Sequence, residues 1–321
     1  MIPYLLEDFK MVDSTVFGAL LAFILTVLFT ALFMNKLPCD QGRAFAVEGG
    51  KSVGKPRGAG IIFILVFTLC SLIFAKIDIE IAIYLLLIVF SMFTGFFDDA
   101  SKTPWSDYKK GAFDLVISVL IAVNYLYFNS NTIYLSLIGK EITIPYVLFA
   151  ILIVILVWVA INVTNCSDGV DGLCATLSII TILTLALVIF KAGSSKGSFV
   201  PMAVMLVFSL IAYLWFNANP STLLMGDAGS RALGVFIAIL SLKSGSPFLY
   251  IFASLIMILD GGLGLAKVFL LRFLKIHIFK NTTLPLHDHA RKKLSWSNTQ
   301  VVFRFAIIQI LFALVTLYIA F

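Results

Sequence analysis

The chain has 321 residues, of which 61% are hydrophobic and only 12% are charged. A soluble domain is about half apolar and about a quarter charged, so this composition excludes ordinary globular, disordered and disulfide-framework proteins. The net charge of +6 indicates loops that face an anionic membrane leaflet rather than a nucleic-acid partner. Because thirty Phe and ten Tyr do not suit strands alternating around a lumen, we expect an all-α integral membrane protein.

Ten apolar runs lie between clusters of charged residues, and each is a candidate transmembrane helix because about 20 apolar residues cross the hydrocarbon layer. They are Val16 to Met34, Ala59 to Phe74, Ile79 to Phe97, Phe113 to Phe128, Tyr146 to Val163, Leu173 to Phe190, Phe199 to Phe216, Ala232 to Leu242, Pro247 to Leu271 and Val301 to Phe321. No linker or strong internal repeat interrupts the series. Residues 1–321 are therefore predicted to form a single polytopic domain.

The loops between these runs predict the orientation of the chain. Fifteen Lys and Arg residues fall in one set of alternate loops and six in the other, so the first set is predicted to be cytoplasmic and both termini exterior. A β-branched alternation around Gly139 predicts a small exterior hairpin. The segment from Phe273 to Leu284 mixes large apolar residues with Lys and His, which predicts an amphipathic helix in the cytoplasmic interface.

Acidic and amide residues gather at the predicted cytoplasmic ends of the runs. Carboxylates at the edge of lipid are costly unless they are paired or functional, so this one-sided distribution predicts a shared interfacial pocket. The residues are Asp98 and Asp99 after the third run, Asn162, Asn165, Asp168, Gly169, Asp171 and Gly172 after the fifth, Asn217 and Asp227 after the seventh, and His287, Asp288 and His289 in the last inside loop.

These residue types suit phosphate chemistry. Adjacent carboxylates such as Asp98 and Asp99 hold a hard cation or take a proton, although they also suit a helix end that faces water. The run from Asn162 to Gly172 would place its polar side chains on one face if it were helical, or it could be only a cap and turn signal. The Gly-rich basic loop containing Lys51 can bring amides and Lys side chains against phosphates, although it lacks the Walker order. Together they predict transfer of a phosphate-bearing group to or from a lipid.

At these residues the chain resembles the polyprenyl-phosphate N-acetylhexosamine-1-phosphate transferases, and among them the phospho-N-acetylmuramoyl-pentapeptide branch. The resemblance runs from Lys51 to Phe305, about four fifths of the chain. Two stretches depart from the family pattern: His287-Asp288-His289 replaces three histidines, and Lys55-Pro56-Arg57-Gly58-Ala59-Gly60 replaces T-P-T-M-G-G. The motifs are Asp98-Asp99, the N-x-x-N-x-x-D-G-x-D-G-L run from Asn162, the N-x-x-P and M-G-D-x-G-S run from Asn217, and Pro285 to His289 followed by Trp296 and Val301 to Phe305.

The resemblance implies ten transmembrane helices with exterior termini, Mg²⁺ as cofactor and an active site on the cytoplasmic face of the bacterial inner membrane. It implies transfer of phospho-MurNAc-pentapeptide from UDP-MurNAc-pentapeptide to undecaprenyl phosphate, and inhibition by nucleoside natural products. Asp227 would hold the metal. The other implied catalytic residues are Asp98, Asp99 and His287, and the implied substrate-binding residues are Lys51, Asn162, Asn165, Asp168, Gly169, Asp171, Asn217 and His289.

Other interpretations stay open on the sequence. A sister transferase would load GlcNAc-1-phosphate for another surface polymer. A transporter would use charges inside spans such as Asp260 and Lys267, which are seven residues apart and share a helix face. The same pair would otherwise serve bundle packing or contact within a homodimer.

Overall fold

A computed structural model describes residues 11–42, 50, 52–193, 198–279 and 282–321, which are mostly helical. Apolar side chains dominate its helices, as the composition predicts. The helices are α1 (Met11–Phe33), α2 (Gly60–Phe74), α3 (Ile79–Asp99), α4 (Asp107–Phe128), α5 (Tyr146–Cys166), α6 (Leu173–Lys191), α7 (Phe199–Asn217), α8 (Gly226–Lys243), α9 (Leu249–Ala253), α10 (Leu255–Met257), α11 (Leu263–Leu274), α12 (Leu286–Lys293) and α13 (Asn298–Ala320).

Seven helices in the described residues are long and apolar enough to cross a membrane: α1, α3, α4, α5, α6, α7 and α13. Their number makes the chain a multi-pass membrane protein. Three of the ten predicted runs take other forms. Helix α2 is apolar but shorter, α8 carries Asp227, Arg231 and Lys243, and the run from Pro247 to Leu271 is broken into several pieces.

Helix α8 forms the centre of the bundle, and all 18 of its residues are buried. It packs against α2, α3, α5 and α6. Glycines allow the backbones to approach: a Cβ at Gly60 would collide with the backbone of Gly229, and one at Gly95 with the backbone of Asp227. Close contact through small residues is typical of membrane helices. It holds the first turn of α8 against the start of α2 and the last turns of α3.

The predicted hairpin is confirmed. Strands β1 (Thr132–Leu135) and β2 (Lys140–Thr143) pair antiparallel, with Thr132 opposite Thr143. Gly139 has a φ of +63°, a left-handed conformation that costs glycine little. The amide of Tyr134 donates to the carbonyl of Gly245 at 2.9 Å, so the hairpin covers the end of α8 that is opposite Asp227.

The chain between Leu249 and Leu274 is a broken helix. Helices α9 and α10 meet at Ser254, a π-helical turn follows over Ile258–Gly262, and α11 completes the segment. Gln309 of α13 compensates for the break, because its side chain donates to the carbonyl of Ala253 and accepts from the amide of Ile256. A single uninterrupted helix over this run, as the sequence pattern predicted, is therefore wrong.

The interfacial helix predicted from Phe273 to Leu284 is also wrong in the residues that the structure describes. Helix α11 ends at Leu274 because Lys275 adopts a left-handed backbone with a φ of +58°. The chain from 275 to 279 is irregular. The ammonium of Lys267 donates to the carbonyls of Phe279 and Thr282, at 3.0 and 3.3 Å. These contacts hold the segment in a non-helical path.

Candidate active site

Three carboxylates meet where α3 ends and α8 begins. The ammonium of Lys110 on α4 lies 2.5 Å from Asp98 and 3.3 Å from Asp227. The guanidinium of Arg57, in the loop before α2, lies 2.7 Å from Asp99 and 3.3 Å from Asp227. Because Asp227 shares one cation with each of the other two carboxylates, all three can address one small ligand.

Local backbone geometry fixes this meeting point. The amide of Ala228 donates to the Oδ2 atom of Asp99 at 3.1 Å, so a carboxylate caps the positive end of α8. Gly226 precedes that amide with a φ of +72°, and a Cβ there would collide with the Asp99 carboxylate. The M-G-D-x-G-S motif thus needs glycine at this position both for the turn and for the contact.

The guanidinium of Arg57 lies among several carboxylates. A fourth carboxylate, Asp40, lies 2.9 Å from the guanidinium of Arg57. Burial alone would lower the pKa of Arg57, but the charges of Asp99 and Asp227 outweigh it and raise that pKa above its ordinary value. Among the described residues, two cations, Arg57 and Lys110, face the four carboxylates of Asp40, Asp98, Asp99 and Asp227.

The turn between α5 and α6 lies beside this cluster. Helix α5 ends at Cys166 and turns follow, so Asn165, Asp168 and Asp171 do not continue along one helix face. The amide of Asn165 donates to the hydroxyl of Ser230 at 2.9 Å, which ties the turn to the first turn of α8. Asp171 accepts from the amide of Ser221 at 3.2 Å, and Asp168 is half-buried.

Two predicted contact residues are bound to the protein itself. Asn217 is buried, accepts from the amide of Gly172 at 2.8 Å and donates to the carbonyl of Leu223 at 2.9 Å. It therefore joins the turn after α5 to the loop before α8. Asn162 donates to the Trp158 carbonyl at 2.9 Å and to the Asp114 carboxylate at 3.4 Å.

His287 contacts the same turn from the other side. Its Nδ1 atom lies 2.8 Å from the carboxylate of Asp260, and its backbone amide donates to that carboxylate at 2.8 Å. A Cβ at Gly169 would collide with the Nε2 atom of His287. The bare glycine therefore gives the imidazole room, and Asp260 fixes the direction of the ring. His289 accepts a bond from the amide of Thr283 at 3.3 Å.

Asp288, which departs from the family's run of histidines, has a defined partner. The guanidinium of Arg291 lies 2.6 Å from the Asp288 carboxylate and donates to the carbonyl of Gly169 at 3.2 Å. The pair thus connects α12 to the turn after α5. A histidine at this position has no negative charge, so it could not form an ion pair with the guanidinium of Arg291.

Sequence reasoning missed the partners of the predicted residues. Lys110 entered only the count of loop charges, and Arg57 was noted only as part of a stretch that departs from the family pattern. The buried pair Asp114 and Arg231 was hidden in or beside the fourth and eighth runs. A charge within an apolar run was the available signal. Lys51, a predicted phosphate contact, lies outside the described residues.

The described side chains of the cluster could supply only some of the ligands of a magnesium ion. Among the residues that the structure describes, no group of three His, Cys, Asp or Glu side chains is placed to hold a metal ion. Mg²⁺, however, usually binds through one or two carboxylates and completes its shell with water and substrate phosphates. The carboxylates of Asp98, Asp99 and Asp227 are donors of that kind.

A family model and individual relatives place the chain in the same family. The model of glycosyl transferase family 4 matches residues 81–245. A phospho-N-acetylmuramoyl-pentapeptide-transferase of Treponema pallidum is 41% identical over 291 residues, which cover 85% of this chain and 80% of the relative. Proteins of the same name from Borreliella afzelii and Helicobacter pylori are 32% and 27% identical, over 96% and 94% of this chain and 94% and 92% of their own lengths.

The matched region spans α3 to α8 and so includes both helix ends that carry the three carboxylates. The chain therefore belongs to the phospho-N-acetylmuramoyl-pentapeptide transferases of glycosyl transferase family 4.

Proposed function

We propose that the protein transfers phospho-MurNAc-pentapeptide from UDP-MurNAc-pentapeptide to undecaprenyl phosphate, which yields lipid I and UMP. Family membership supports the reaction. The location of the active site is supported mainly by the position of the Lys110 ammonium, which lies within 3.3 Å of both Asp98 and Asp227. These two contacts bring together carboxylates that are 129 positions apart in the chain.

We place the site at the cytoplasmic face of the bacterial inner membrane, in a chain with ten spans and exterior termini. The excess of Lys and Arg in the corresponding loops supports this orientation. Helix α2 is short but apolar, and α8 is wholly buried, so both can cross inside a bundle without a long lipid-facing surface. The site would then face the soluble nucleotide donor while its lipid acceptor remains in the membrane.

In the reaction, a phosphate oxygen of the lipid attacks the sugar-bearing phosphorus of the donor. A new phosphorus–oxygen bond forms, the bond to the uridine-bearing phosphate breaks, and UMP leaves with its electron pair. Mg²⁺ held at Asp227 would neutralise charge on the diphosphate. Asp98, with Lys110 beside it, would position the lipid phosphate or take its proton, and Asp99 would hold the first turn of α8 in place.

The donor would lie along the turn after α5. Asn165, Asp168 and Asp171 supply polar groups there, and His287 directs its imidazole toward the same turn. Asn217 would support the turn rather than contact substrate, because both polar atoms of its buried side chain bind protein groups, whereas we retain Asn162 as a donor contact. We assign donor contacts also to Gly169, His289 and Lys51.

The test is an assay of the purified chain in detergent with Mg²⁺, undecaprenyl phosphate and two donors in parallel. We expect UMP release from UDP-MurNAc-pentapeptide and none above background from UDP-GlcNAc. Turnover of UDP-GlcNAc alone would favour the sister transferase. UMP release that persists without undecaprenyl phosphate would indicate hydrolysis rather than transfer.

A further inference from the structure

Arg57 has an unusual set of partners for a residue in a glycine-rich loop. Three of its nitrogen atoms face three different carboxylates: Nη1 lies 2.9 Å from Asp40, Nε 2.7 Å from Asp99 and Nη2 3.3 Å from Asp227. Its side chain is only 15% exposed. A planar guanidinium suits this arrangement because its donors diverge in a fixed fork.

The guanidinium occupies the oxygens that a divalent cation would use. It contacts the Oδ1 atoms of both Asp99 and Asp227, and Asp227 is the carboxylate to which we assign the metal. Lys110 already lies at the Oδ2 atom of Asp227, so a divalent cation at the Oδ1 atoms would compete directly with the guanidinium and be repelled by it. Metal binding at Asp227 therefore requires the guanidinium to withdraw or turn.

The backbone of this loop is fixed, so the movement is confined to the side chain. The amide of Arg57 donates to the Pro38 carbonyl, and the Leu224 amide donates to the Pro56 carbonyl, both at 2.8 Å. Asp40 provides a second, lasting anchor. Burial raises the pKa of Asp40, but hydrogen bonds from Ser52 and Arg57 outweigh burial and bring that pKa below its ordinary value.

We propose that Arg57 is a resident cation that occupies the Asp99 and Asp227 carboxylates until a divalent cation and the donor diphosphate arrive together. Asp40 retains one side of the guanidinium, and the freed side then faces the diphosphate. This inference rests on the proposed function for the identity of the metal-binding carboxylate. Its consequence is that the site binds a divalent cation weakly without a nucleotide, which limits binding of metal that no substrate accompanies.

The experiment measures binding of Mn²⁺, as a paramagnetic substitute for Mg²⁺, to the full purified chain without nucleotide. Arg57→Gln removes the competing charge, so we expect Mn²⁺ to bind about tenfold more tightly than to the parent protein. The apparent KM for the UDP-linked donor should rise by a similar factor at saturating Mg²⁺. If Arg57 merely supported the loop, its replacement would weaken the binding of both Mn²⁺ and the donor.

A matched control is Arg272→Gln, which removes a cation from an exposed pair with Asp107 and should change neither quantity. Because the Asp99 side chain is fully buried, Arg57→Gln could fail to fold, and Arg57→Lys then decides. One ammonium cannot bridge three carboxylates, so we expect about threefold tighter Mn²⁺ binding in this variant. Unchanged or weaker Mn²⁺ binding in the folded variants would overturn the inference.

The two proposals fail separately. Tighter Mn²⁺ binding in Arg57→Gln supports the resident cation even if the parent protein releases no UMP from either donor. Conversely, normal UMP release with unaltered Mn²⁺ binding in the variants supports the transferase and removes this role from Arg57.

Discussion

The two ends of α8 both carry buried charge, yet they differ in balance. At the Lys243 end, the ammonium lies 2.6 and 2.7 Å from the two oxygens of Glu80 and donates to Asn129 at 2.9 Å. The amide of Asn129 donates back to Glu80 at 2.7 Å. One cation thus meets one carboxylate, and the amide completes the set. At the Asp227 end, two cations of the described residues, Arg57 and Lys110, face four carboxylates.

This difference separates a structural ion pair from a binding site. The 18 residues of α8 make it about 27 Å long, so the two ends lie far apart. A cavity of about 410 Å³ lies at the Lys243 end, but Glu80, Asn129 and Lys243, which line it, bind one another. The number of carboxylates that meet in the described residues, rather than cavity volume, distinguishes the Asp227 end, to which we assign the metal.

The largest effect should follow from removing charge at the Asp227 end. Asp227→Asn keeps the shape of the side chain but removes its charge, so we expect UMP release to fall by at least about a hundredfold. Because the change also weakens the pairs with Arg57 and Lys110, turnover is compared per folded molecule. A variant that retains most of its turnover would place the metal elsewhere.

The opposite end should respond in stability and not in chemistry. Lys243→Met leaves Glu80 buried without its cation, which should cost about 3–5 kcal/mol of unfolding free energy. Adding Glu80→Gln should recover part of this loss, while turnover per folded molecule stays near that of the parent. The measurement is thermal or denaturant unfolding with an activity assay on the folded fraction. Loss of turnover in the folded double variant would mean that the ends are coupled.

A substitution of Asp260 measures how much the residues around the site contribute to turnover. Asp260→Asn no longer favours the ring orientation in which Nδ1 faces the carboxylate, so we expect kcat to fall about tenfold with a smaller change in KM. Asp288→Asn, which weakens the adjacent pair with Arg291, serves as a comparison. Equal losses in both variants would indicate that the segment needs only its packing.

The smallest effect concerns pH. The pKa of Asp40 is lowered in the folded protein, so its carboxylate contributes stability above its ordinary pKa of 3.8, and this contribution is lost as the pH falls through the lowered value. Asp40→Asn should unfold at a lower temperature at neutral pH and show a shallower decline toward about pH 3. Parallel declines in both proteins would remove Asp40 from the balance of the site.

The sequence predicted the parts of this comparison that depend on local pattern. Asp98, Asp99 and Asp227 lie at the ends of apolar runs that the loop charges predict to face one side, and Gly139 lies between β-branched residues. The sequence therefore predicted both the meeting of these carboxylates and the hairpin. The sequence did not predict contacts between residues that are far apart in the chain. Asp260 reaches His287 because the broken helix and the irregular segment bring together residues 27 positions apart, and no periodicity encodes that path.

Arg57 shows the same limit from the loop side. In the sequence it is one positive charge among several, and its three carboxylate partners lie 17, 42 and 170 positions away. The interfacial helix was predicted from composition, which cannot reveal that Lys275 turns left-handed and that Lys267 binds the following carbonyls. Hydrogen bonds between residues that are distant in sequence determine both the position of the Arg57 side chain and the path of the chain after Leu274.

The central claim is that Asp98 and Asp227 act within one site, and a double-mutant cycle on UMP release tests it most directly. Groups that act as a unit on one step are not additive, so the variant with both Asp98→Asn and Asp227→Asn should be about as slow as the slower single variant. A double variant whose loss equals the product of the two single losses would show independent sites and contradict the account.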